Sequence, residues 1–239
     1  AFYSALGFLP ADADLRTIVL DLYGQQVAGY YDPETKTMNV ILSSGNAPGD
    51  SLPLLEQIIY VHELVHTLQD QHFDLDSMMN QMIENDDSDA VMAMQAVVEG
   101  DATFVMNVFT AQRAQENPLG SMLSLLIGGA QAGNLTLPAG TPDILAAELL
   151  FPYQTGAEFV QAIYQDGGWD AVNAVFDDLP VSTEQIIHPE KYVARELPIP
   201  VTLTDASEQL GTAWTLASDG KLGEFYLRQY LGQGLDAAT

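Results

Sequence analysis

Three of the chain's four histidines, His62, His66 and His72, fall in the stretch VHELVHTLQDQHF at 61–73. His62, Glu63 and His66 spell H-E-x-x-H. On a helix, histidines four residues apart stand roughly 40° apart around the axis and about 6 Å along it, so both imidazoles reach one ion. Glu63, about 100° round from His62, can serve a water at that ion without ligating it. Such a set is suited to zinc-dependent hydrolysis, with Lewis acidity from the metal and a carboxylate to take the proton.

The chain has no cysteine, so the remaining ligand must be His, Asp or Glu. His72 has the spacing of the last histidine in H-E-x-x-H-x-x-G-x-x-H. Gln69, however, stands where that pattern needs a glycine to turn the chain out of the helix. On a continuous helix His72 lies about 15 Å along from His62 and off its stripe. It then reads as a helix-end residue favoured by the macrodipole. Glu99, in AVVEGDATF, is the better candidate, because an unpaired carboxylate in an apolar run is costly to bury and coordination removes that cost. Gly100 and Ala102 should let its helix approach the first, and Asp101 should point away into solvent. Asp70, one turn beyond His66, is the expected partner orienting a zinc histidine.

The fourth histidine, His188, lies in STEQIIHPEKY at 182–192. Ser182 and Gln185 form a capping box, Val181 and Ile186 can staple it, and Pro189 ends the short helix at His188. That structural account is sufficient by itself. Peptide hydrolysis nevertheless passes through an oxyanion that a His or Tyr donor stabilises. His188, Tyr153 in FPYQTG, and Tyr192 compete for that role, with His188 and Tyr153 ahead.

The elements that must position these groups follow from periodicity. Residues 27–32 and 37–42 are β-prone runs joined by PETK, a hairpin. A loop leads to a helix ending near Phe73, capped by Asp50 or Ser51 with Pro53 in its first turn. Its core stripe is Leu54, Ile58, Val61, Val65 and Leu68. The acidic run ENDDSD at 84–89 suits the start of a second helix, about 90–110, better than a calcium loop. Residues 117–142 carry no charge and read as a packed connection, with a lid as the alternative. Further helices are expected at 144–150, 157–165 and 169–176, then a strand at 200–203 and a last helix at 222–230. The expected class is α+β: a small N-terminal sheet, a zinc-binding helix and a mostly helical C-terminal lobe. The chain reads as one domain, 1–239, with lobes of about 1–80 and 81–239.

With 33 acidic and 7 basic residues the net charge is −26. That surface repels nucleic acid and anionic membranes. No apolar run reaches the roughly 18–20 residues a membrane span needs. Acidity of this degree fits a salty or extracellular setting, and so a secreted or cell-envelope protein, with solubility as the alternative reason for it.

HELVH followed by a helical glutamate resembles the gluzincin zinc metallopeptidases. The stretches HELVHTLQDQHF, EGDA (99–102), FPYQTG (151–156) and STEQIIHPEKY resemble more closely a compact bacterial group of that type. The resemblance implies His62, His66 and Glu99 as zinc ligands, Glu63 as general base, and a peptide or protein substrate. It also implies that the strand at 37–42 pairs with an extended substrate. A zinc hydrolase of a non-peptide substrate and a non-catalytic zinc-containing binding protein stand as the alternatives.

Overall fold

Alternating β-prone residues and a polar turn produce the hairpin. In the computed structural model, which describes residues 2–26, 29–41, 52–84, 87–122, 137–201, 207–212 and 220–233, β1 is Gly29–Asp32 and β2 is Thr37–Val40. They pair antiparallel, with Gly29 opposite Val40 and Asp32 opposite Thr37. The Asp32 carboxylate accepts from the backbone N–H groups of Glu34 and Thr35, and Lys36 turns the chain at φ 54°. β2 stops short of the expected end: Ile41 lies past it and residue 42 falls outside the described residues.

Ahead of the hairpin stand two helices, α1 (Phe2–Ala5) and α2 (Leu15–Gln26). Helix α3 (Leu54–Phe73) follows it. Pro53 is its N-cap, at ψ 158°, rather than a first-turn residue; the expected cap residues 50 and 51 lie outside the described residues. Ile58 and Val65 are buried as expected, but Leu68 is 47% exposed. The inward face instead carries Glu63, His66, Gln69 and Asp70, because it must present polar groups to the site. Gln69 does not break the helix, which ends at Asp74 in the left-handed conformation with its N–H returned to the Asp70 carbonyl.

Helix α4 (Leu75–Glu84) leads to α5 (Ser88–Glu116), longer at both ends than expected. Asp87 caps α5 by accepting from the Ala90 N–H. Asp89 accepts from the hydroxyl and N–H of Thr183, at 2.6 and 3.1 Å. The described acidic residues here thus start a helix and anchor a later one.

Of the three helices expected between 144 and 176, the first two run together, and the third is set off as expected at Gly168, whose backbone is non-helical at φ 67° and ψ −162°; the whole span is α6 (Asp143–Asp177). Pro152 sits inside it. A proline costs a helix about 3 kcal/mol, offset here by the burial of Phe151, Pro152, Gly156, Phe159 and Val160 against α5. Ala93, Ala96 and Val97 of α5 complete that core. Short helices α7 (Thr183–Ile187) and α8 (Pro189–Val193) follow, joined at His188. Half of the expected capping box forms: the Ser182 hydroxyl accepts from the Gln185 N–H, while the Gln185 side chain reaches one residue past the cap and accepts from the Val181 N–H. Pro189 ends one helix and begins the next. After α9 (Ser207–Leu210), α10 (Glu224–Gly232) closes the body, with Phe225 buried and its N–H on the Thr183 hydroxyl. Val201 is not in a strand, and residues 202–203 of the expected tail strand lie outside the described residues. The outcome is a small N-terminal β-hairpin on a mostly helical body.

Candidate metal centre

The four-residue spacing on α3 brings His62 and His66 together, and α5 supplies Glu99 opposite them. His62 Nε2 lies 3.1 Å from Glu99 Oε2, His66 Nε2 lies 3.3 Å from the same oxygen, and the two Nε2 atoms are 3.1 Å apart. Among the described residues no other three His, Asp or Glu side chains converge in this way.

Protons alone satisfy this triangle poorly. If both imidazoles donate through Nε2 to Glu99, the two donors face each other; if one accepts from the other, a contact to the carboxylate loses its hydrogen. A cation satisfies all three. Ligand atoms around a tetrahedral zinc, at bonds of about 2.0–2.1 Å, stand about 3.3 Å from one another, close to the three observed separations. Two imidazoles and one carboxylate are also a donor set that zinc accepts while keeping a position open. The residues fit the ion.

Without a cation the three groups hold one another's protons and charge. Burial works against charge on His66, but hydrogen bonding to Glu99 outweighs it and raises its pKa to about 9. Burial likewise works against the Glu99 carboxylate, and hydrogen bonds from His62 and His66 outweigh it, taking Glu99 down to about 2.

Glu63 is 6% exposed and stands outside the triangle. Burial raises its carboxyl above the ordinary value, against the pull of the two histidines. β1 lies directly on it: a Cβ at Gly29 would come within 3.3 Å of Glu63 Cγ, and hydrogen bonding from the Tyr31 backbone contributes to holding the carboxylate.

The surrounding shell differs from expectation in three places. Asp101 is buried, not solvated: it accepts from Gln69 Nε2 at 2.8 Å. Gln69 Oε1 in turn lies 2.9 Å from His66 Nδ1, so Gln69, not Asp70, contacts a histidine of the triangle. Asp70 accepts from Lys36 Nζ at 2.7 Å and from the Tyr31 hydroxyl at 2.8 Å, tying the hairpin to α3. Gly100 turns its bare backbone to Gly156 of α6 rather than to α3. The run EGD signalled a glutamate and a close approach, but which neighbour each residue meets depends on the rotation of α5 about its axis.

His72 is exposed at the end of α3 and stands outside the cluster. Tyr153 stacks on His62, with ring centroids 5.9 Å apart and planes at 27°. His188 has its Nε2 3.0 Å from Glu224 and its Nδ1 3.6 Å from Glu190, with Arg228 alongside. Tyr192 donates to the Asp178 carbonyl. Comparison with protein families, curated proteins and solved structures finds no match.

Proposed function

We propose that this chain is a zinc-dependent peptidase of gluzincin type. The observation that carries the reading is the triangle of His62, His66 and Glu99 with Glu63, on the same helix, left outside it. His62 and His66 would hold the ion through Nε2, and Glu99 through a carboxylate oxygen. Bound zinc supplies Lewis acidity toward water and a substrate carbonyl.

Glu63 takes a proton from the attacking water and delivers it to the departing amine. A base of this kind is tuned toward neutrality by burial, the direction in which Glu63 is displaced. Tyr153 is the donor to the developing oxyanion. The choice rests on position: its ring lies against His62, while the contacts of His188 and Tyr192 are with Glu224 and the Asp178 carbonyl, neither of them in the triangle. Peptide is favoured over other carbonyl substrates by the hairpin beside Glu63. It is two-stranded among the described residues, so β2 keeps an edge to which an extended chain can add.

The test is to strip the protein of metal, restore zinc, and follow cleavage of a fluorogenic peptide library. Zinc-dependent turnover that Glu63→Gln abolishes while zinc content is unchanged is the expected result. No zinc uptake, or full turnover in the Glu63→Gln protein, would overturn the reading.

A further inference from the structure

The amide of Gln69 has only one orientation that satisfies its surroundings. Its nitrogen lies 3.0 Å from the Val98 backbone carbonyl and 2.8 Å from Asp101 Oδ2. A backbone carbonyl only accepts, so the Nε2 end, with two hydrogens, must face these two oxygens. Oε1 is thereby directed at His66 Nδ1, 2.9 Å away. An amide oxygen cannot donate, so Nδ1 must carry the hydrogen. In the neutral imidazole Nε2 then keeps its lone pair, and Nε2 is the atom in the triangle. Gln69 is 3% exposed and Asp101 8%, so water does not readily replace either contact.

From this chain of contacts we infer that Gln69 is a positioning residue, which sets the tautomer and ring orientation of His66 for metal binding and is itself aligned by Val98 and Asp101. The arrangement spans both helices of the site. Gln69 follows His66 by three residues on α3, while Val98 and Asp101 flank Glu99 on α5. The same side chain that orients one ligand therefore also registers α3 against the helix that brings the other. Partners of this kind around metal-bound histidines are worth about 10–100-fold in affinity. The inference deepens the proposed function and rests on the zinc reading.

Zinc affinity is measured by competition with a chromophoric chelator for the parent protein, for Gln69→Met, which keeps the length but neither accepts from Nδ1–H nor donates as an amide does, and for Asp101→Leu. The zinc-loaded parent is also recorded by histidine-selective nitrogen NMR. The expected result is a protonated Nδ1 on His66 with Nε2 on the metal, and about 10–100-fold weaker zinc binding in Gln69→Met. Asp101→Leu should lose less, since the Val98 carbonyl still holds the amide. If Gln69→Met does not fold, the NMR measurement on the parent decides. Zinc on His66 Nδ1, or equal affinity in parent and Gln69→Met, overturns the inference while leaving the metal site intact. A parent that takes up no zinc overturns the metal reading and this inference with it.

Discussion

Gly100 on α5 and Gly156 on α6 meet backbone to backbone. A Cβ at Gly100 would lie 2.3 Å from the Gly156 carbonyl carbon, and one at Gly156 would lie 2.2 Å from the Ala96 carbonyl oxygen. Neither neighbour is a flexible side-chain end that can swing away. Because Glu99 precedes Gly100 and Tyr153 lies one turn before Gly156, this contact sets how α5 and α6 frame the site. Gly100→Ala should destabilise the fold by about 3 kcal/mol, the upper end for overpacking, read from the urea midpoint. A loss below about 1 kcal/mol would show that the helices separate easily.

Glu99 is the one member of the triangle contributed from outside α3. Glu99→Ala should weaken zinc binding by more than the roughly 100-fold ascribed to outer partners, with the helical content in circular dichroism preserved. Glu63→Gln, in contrast, should bind zinc as the parent does and lose about 10²–10⁴ in turnover. Chelator competition and peptide cleavage on the same preparations separate the two roles.

Metal uptake should depend on pH in one direction. His66 is held protonated in the metal-free cluster, with its pKa raised to about 9, so the ion must displace that proton. Zinc affinity should rise by about tenfold per pH unit between roughly 6.5 and 9 and level off above. The sign for stability is the converse. A raised histidine pKa stabilises the metal-free fold fully below its unfolded value, and that contribution is lost as pH rises through about 9. The thermal gap between zinc-loaded and stripped protein should therefore widen from neutral to alkaline pH, as scanning calorimetry would report.

Asp70 ties the hairpin to α3. Burial would raise its carboxyl, but hydrogen bonds from Lys36 and Tyr31 outweigh this and hold it below the ordinary carboxylate value. A lowered carboxylate pKa stabilises the fold above its unfolded value near 3.9, and the contribution disappears as pH falls through the folded one. Asp70→Asn should flatten the acid limb of the stability curve and leave zinc affinity within a few-fold of the parent. Lys36→Met should matter less, because the Lys36 side chain is 58% exposed and pairs of that kind contribute about 1 kcal/mol or less.

Tyr153→Phe keeps the ring that stacks on His62 and removes only the hydroxyl. If that hydroxyl serves the oxyanion, kcat should fall by about 10²–10³ with zinc content and KM nearly unchanged. The same loss in His188→Gln, with Tyr153→Phe fully active, would move the donor role to His188.

The C-terminal end of α3, the hairpin and the convergence of His62 with His66 were legible in the sequence because each depends on local rules. Period-2 and period-3.6 patterning, turn chemistry and the geometry of positions i and i+4 on a helix need no knowledge of the rest of the chain. Glu99 was legible for a thermodynamic reason, as a carboxylate in an apolar run. The environments of Asp101, Gly100, Asp70 and Leu68 were not, because local pattern leaves the rotation of one helix against another undetermined. Nor did the pattern show that α6 runs through Pro152, where burial against α5 outweighs an intrinsic helix breaker. The sequence by itself determined which side chains could hold a metal; only the tertiary packing of α3, α5 and α6 decided which groups surround them, since contacts between distant segments follow from how whole faces fit together.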